Sequence, residues 1–126
     1  MDFLTACRTL TAELPSAAPD DPLVRAALDL VIRPWLDGVN SGAQAMRWGS
    51  FATEVQTVTD QLWPGPATES ISADPPAALP GLDQAAAALA LAVAGLLDRA
   101  ADPRHPRAWA YAAGAAQLRD AAQELQ

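Results

Sequence analysis

The sequence predicts an all-α fold, a single-domain helical bundle over residues 1–126. Three observations predict it. From Ala85 to Leu97 the chain carries no polar side chain and no Pro, in a run built from Ala, Leu, Val and one Gly. Ala and Leu are the strongest helix formers, so this stretch is a helix. Elsewhere apolar residues recur at three- and four-residue spacing, the period of a helix face. Pro clusters between these stretches, where it ends helices instead of breaking them. The result is four long-to-medium helices plus a short N-terminal one, the last two forming an Ala-rich antiparallel hairpin.

The first helix spans residues 2–14, with Asp2 as its N-cap. Phe3, Cys7, Leu10 and Leu14 form its apolar seam, and Pro15 stops it. Asp21-Pro22 opens the second helix, a capping carboxylate followed by Pro at the first helical position. Its inward face holds Val24, Ala27, Leu28, Val31 and Trp35, and it runs to about Arg33. Arg25, Asp29 and Arg33, spaced by four, read as a solvated outer strip. Pro34 ends or kinks the helix, and Asp37-Gly38 with Asn40-Ser41-Gly42 supplies turn chemistry.

Ser41 to Gln44 reads as a capping box, so the third helix starts there and continues to Trp63. Trp48, Phe51, Val55, Val58 and Leu62 make its core stripe, and Thr53, Glu54, Thr57, Asp60 and Gln61 its wet side. The segment 64–81, rich in Pro and small residues, is a mobile connection long enough to cross the bundle. On the helix from Leu82, the residues Leu82, Ala86, Leu89, Val93, Leu96, Leu97 and Ala100 share a core face. Leu91 projects the opposite way, among Ala87, Ala88, Gly95 and Asp98. The turn 101–106 leads into a last helix opened by Pro106, with Tyr111, Ala115, Leu118, Ala122 and Leu125 inward.

Composition narrows the function classes. The formal charge of −7 argues against nucleic acid, whose phosphates need clustered positive charge. The apolar run is too short for a membrane span. All eight positive residues are Arg, and Ala abounds, the mark of a GC-rich bacterial genome. A single Cys excludes an internal disulfide and suits a reducing cytoplasm, and the N-terminus does not read as a signal peptide.

No catalytic constellation or ligand fingerprint stands out. With one His and one Cys, a metal site would rest on carboxylates alone, and no metal or cofactor is expected. Gly-rich phosphate loops of known spacing are missing. Three candidate surfaces remain. Arg104, Arg107 and Trp109 gather near the start of the last helix as a partner or anion site. Trp35, Trp48 and Trp63 lie on or beside core stripes, where packing explains them, and they offer a possible pocket for a small aromatic ligand. Ala88, Leu91 and Gly95, with Ala87, form a smooth strip suited to self-association as a homodimer. The expectation is a non-enzymatic protein-binding protein, a regulator, inhibitor or accessory subunit. The alternative is a small-molecule-binding bundle or small acid/base enzyme with a Trp-lined pocket.

Overall fold

A computed structural model describes residues 2–36, 43–74 and 81–126 of the chain. Their elements are α1 (Phe3–Glu13), a 3-10 turn (Leu14–Ser16), α2 (Pro22–Val31), α3 (Arg33–Leu36), α4 (Ala43–Leu62), α5 (Leu82–Ala100) and α6 (Ala108–Glu124). The fold is all-helical, and among the described residues there is no strand. No helix among them is long and apolar enough to cross a membrane.

Local chemistry sets the helix ends. Asp2 accepts a hydrogen bond from the Thr5 amide at 2.7 Å, and Asp21 accepts one from the Leu23 amide at 2.9 Å. Each satisfies an amide that the first helical turn leaves without a partner. Helix α2 stops at Val31, two residues earlier than its pattern suggests, because Pro34 cannot donate to a continuing ladder. The chain resumes as the single turn α3, with Pro34 buried inside it. Gly81 sits at φ +84° ahead of α5, a left-handed conformation that favours Gly. Helix α6 begins at Ala108, two residues after Pro106. The turn expected at Asp37–Gly42 and the start of the capping box expected at Ser41 fall outside the described residues.

Contacts between ends fix the helix directions. Leu97 packs beside Gly114, and Leu125 lies beside Ala87, so α5 and α6 run antiparallel. Gly114 meets Leu62 and Val58, while Arg47 reaches the Glu124 carbonyl, so α4 and α6 are antiparallel too. Helices α4 and α5 therefore run parallel, and both pack against α2 and α6. The chain leaving α4 must return along the whole bundle before α5 begins. A helix of 19 residues, such as α5, is about 28 Å long, so the helix ends that the 64–81 connection joins lie about that far apart; its residues 75–80 fall outside the described ones. Of this segment, Ile71 and Ala73 pack against the core.

The core stripes match the periodic pattern. Phe3, Cys7, Leu10 and Leu14, then Val24, Ala27, Leu28 and Val31, are buried, as are Trp48, Phe51, Val55, Val58 and Leu62. Helix α5 is enclosed by α1, α2 and α6, which also buries Ala85, Ala87 and Ala90. Two arginines answer the carbonyls at the end of α4. Arg107 donates to Leu62 O at 2.6 Å and Arg25 to Trp63 O at 2.9 Å. Cations there suit the negative end of the helix dipole. Arg25 is thus a staple from α2 to α4 and not part of a purely solvated strip.

Cys7 has no exposed surface, and burial pushes its thiol up to about 12 from an ordinary 9.0. The unfolded chain then loses this proton before the folded one does. Its contribution to stability is complete below the ordinary thiol value and is lost as pH rises toward the folded one, at up to about 1.4 kcal/mol per pH unit. Urea titrations from neutral to alkaline pH should show this decline in the wild type and a shallower one in Cys7→Ala. Equal slopes in the two proteins would show that Cys7 is not the group responsible.

Candidate functional site

The turn joining α5 to α6 gathers Arg104, His105 and Arg107, with Arg99 just before it, yet each is committed to a separate partner. Arg104 makes a two-pronged contact with Asp102, with Nη2 2.8 Å from Oδ2 and Nε 3.2 Å from Oδ1. The Arg104 side chain and amide hold the Asp102 carboxyl below the usual range. Arg99 donates to Pro15 O at 3.1 Å. His105 Nδ1 accepts from the Arg107 amide at 3.0 Å, which places the proton of the neutral ring on Nε2. The guanidinium of Arg107 lies 5.4 Å from the Tyr111 ring centroid while donating to Leu62 O.

A cation at the first turn of α6 is unfavourable for that helix alone. It is favourable for α4, whose C-terminus lies alongside because the two helices are antiparallel. Arg104, Arg107 and Trp109 therefore do not converge as one anion cradle. Arg104 faces Asp102, Arg107 turns to α4, and Trp109 stands 77% exposed.

Trp109 borders a groove of about 530 Å³ between the end of α4 and the start of α6. Leu62, Ala110 and Ala113 supply apolar lining, Gln61 and Gln117 supply amides, and Arg107 also lines it. The face is neutral apart from Arg107, which already has its hydrogen-bond acceptor.

The other tryptophans stand at separate places. Trp48 is fully buried, edge-on to Phe51, and its Nε1 donates to Asp83 Oδ1 at 2.9 Å. Trp63 is partly buried, and its Nε1 donates to Pro19 O at 3.1 Å. Trp35 is 38% exposed and lies against Gly49, not on the inward face of α2. Trp48 and Trp63 are 15 positions apart on α4 and its end, about 22 Å along a helix. The three do not line a common cavity among the described residues.

Trp35 instead borders a second groove of about 530 Å³, with Met46, Gly49, Glu54 and Glu124. Sequence reasoning missed this site. Glu54 reads as an ordinary wet-side residue, and nothing in the pattern links it to Trp35 or to Glu124 at the far end of the chain. Burial, followed by the negative charges of Glu124 and Asp120, pushes the Glu54 carboxyl above its ordinary range.

On the back of α5, Ala88 and Leu91 are exposed and Gly95 is half-buried. Ala87 does not belong to this strip, because the end of α6 covers it. The Arg99 guanidinium lies 3.6 Å from where a Cβ on Gly95 would sit, so the far end of the strip is occupied. A depression of about 410 Å³ lies between Leu91 and Leu125.

Among the described residues no three His, Cys, Asp or Glu side chains come together as a metal site. Compared with models of protein families, with curated proteins and with solved structures, the chain matches none.

Proposed function

We propose that the protein acts by binding another protein, as a cytoplasmic, non-enzymatic regulator, inhibitor or accessory subunit. The observation that carries this reading is Trp109. A Trp 77% exposed beside an apolar groove is unusual on a free surface and typical of an interface anchor. The groove offers Leu62, Ala110 and Ala113 for contact, with Gln61 and Gln117 to hydrogen-bond at its rim. The partner this favours presents an apolar side chain that packs against the indole.

Self-association belongs to the same reading, through Ala88 and Leu91. Because Arg99 occupies the Gly95 end, the contact is offset toward Leu91 and Leu125. One set of proteins tests both surfaces. Trp109→Ala should keep the wild-type melting temperature, since an exposed side chain adds little to folding, and should lose partner capture. Leu91→Arg should convert a wild-type dimer into a folded monomer by light scattering. Undiminished capture by Trp109→Ala, with a wild type monomeric at high concentration, would remove the reading.

A further inference from the structure

We infer that the groove bordered by Trp35, Met46, Glu54 and Glu124 receives a Lys or Arg side chain from a basic segment of a partner protein. It lies toward the start of α4, while the Trp109 groove lies at its end, roughly 20 Å away along the helix. The inference rests on the partner-binding reading but not on Trp109.

The groove joins two features that a cationic side chain needs. The first is an aromatic and thioether wall. Gly49 lets the Trp35 ring come down onto α4, with its Cη2 only 3.2 Å from where a Cβ would be. The ring still keeps over a third of its surface open, and Met46 beside it is 81% exposed. Such a wall takes the aliphatic stem of Lys or Arg and attracts its charged head.

The second feature is negative charge gathered around Glu54. Glu54 and Glu124 both line the groove, and the charges acting on Glu54, Glu124 and Asp120, are negative. Oxygen Oε2 of Glu54 is closed from water and has no hydrogen-bond partner. The charge is shared by both carboxylate oxygens, so a cation arriving from the groove neutralises the whole group. The cation on the same helix, Arg47, lies beside the Glu124 end, donating to the Glu124 backbone carbonyl at 2.8 Å and lying 3.5 Å from Asp83, so it offsets part of the charge there while Glu54 still faces Glu124 and Asp120.

The wall also selects among cations. A hydrated metal ion gains nothing from Trp35 or Met46, and it wants several carboxylates together. A side chain with an apolar stem and a charged head uses every part of the groove. The net charge of −7 favours approach by a basic segment in general.

The test follows the four indole N–H signals by NMR, the Trp35 signal being assigned with Trp35→Phe. Probes are N-acetyl-arginine amide, N-acetyl-lysine amide, the uncharged isostere N-acetyl-citrulline amide, and a blocked peptide with one Arg flanked by alanines. The charged amides should shift the Trp35 signal and leave that of Trp109 in place, and citrulline amide should not. The peptide should bind more tightly than arginine amide. Added salt should weaken binding, and Glu54→Gln with Glu124→Gln should weaken it about tenfold. An unmoved Trp35 signal, equal response to citrulline, a peptide no tighter than the amide, or full binding by the folded double variant overturns the proposal. Each of these leaves Trp109-dependent capture untouched, so the two readings fail separately.

Discussion

Trp48→Ala should destabilise the protein by about 3–5 kcal/mol, the usual cost of emptying an indole-sized space in a core. Trp48 has no exposed surface, and it packs edge-on to Phe51 with ring centroids 5.5 Å apart. It also carries a polar latch. Its Nε1 donates to Asp83 at the start of α5, and Asp83 faces Arg47 one residue before Trp48. Because α4 and α5 run parallel without packing closely, this latch ties the second turn of α4 to the first turn of α5 directly. A domain of this size is stable by only about 5–15 kcal/mol, so the Ala variant should sit near its unfolding limit at body temperature. Trp48→Phe separates the two contributions. It keeps most of the ring and removes the indole donor from Asp83, which still faces Arg47, at a cost of about 1–3 kcal/mol, toward the lower end because Asp83 is partly exposed. Urea unfolding of the three proteins gives both numbers. A loss below about 1 kcal/mol in Trp48→Ala would contradict the burial itself.

The helices and their core faces were legible because each is written locally. Asp2 and Asp21 cap as their positions suggest, and the stripe from Trp48 to Leu62 needs only a period to be read. What the pattern does not carry is which helix faces which. Arg107 looks misplaced at the start of α6 until the end of α4 is seen beside it. Arg25 looks like a surface charge until Trp63 O is found above it. The same limit hid the Trp35 groove. Its wall comes from Trp35 on α3 and Met46 on α4 and its two carboxylates from α4 and the end of α6, so no short window of sequence contains the site. Trp109 was legible for the opposite reason. It lies on the far side of its own helix from Tyr111 and Leu118, and one helix suffices to show that.

Gly114→Val should cost about 2–3 kcal/mol, which the position of Gly114 on α6 would not suggest by itself. In an open helix, replacing Gly improves stability by up to about 1 kcal/mol, since Gly is a poor helix former. Here α6 lies against both α4 and α5. A Cβ on Gly114 would sit 3.0 Å from Leu62 Cδ1, 3.4 Å from Leu97 Cδ1 and 3.5 Å from Val58 Cγ1. The closest of these atoms is the tip of a flexible side chain, so Gly114→Ala can be absorbed by a small shift of Leu62. Propensity and crowding should then nearly cancel, within about 1 kcal/mol of wild type. Val adds two methyl groups at a β-branched carbon whose rotamers are already restricted in a helix. Those methyls meet side chains of α4 and α5, and overpacking of this kind costs about 1–3 kcal/mol. Pushing α6 away from α4 also lengthens the Arg107 contact with Leu62 O and opens the groove beside Trp109. The melting temperature of Gly114→Val should therefore fall by about 10 °C. A Gly114→Val protein as stable as wild type would mean that α6 does not seat this closely between α4 and α5.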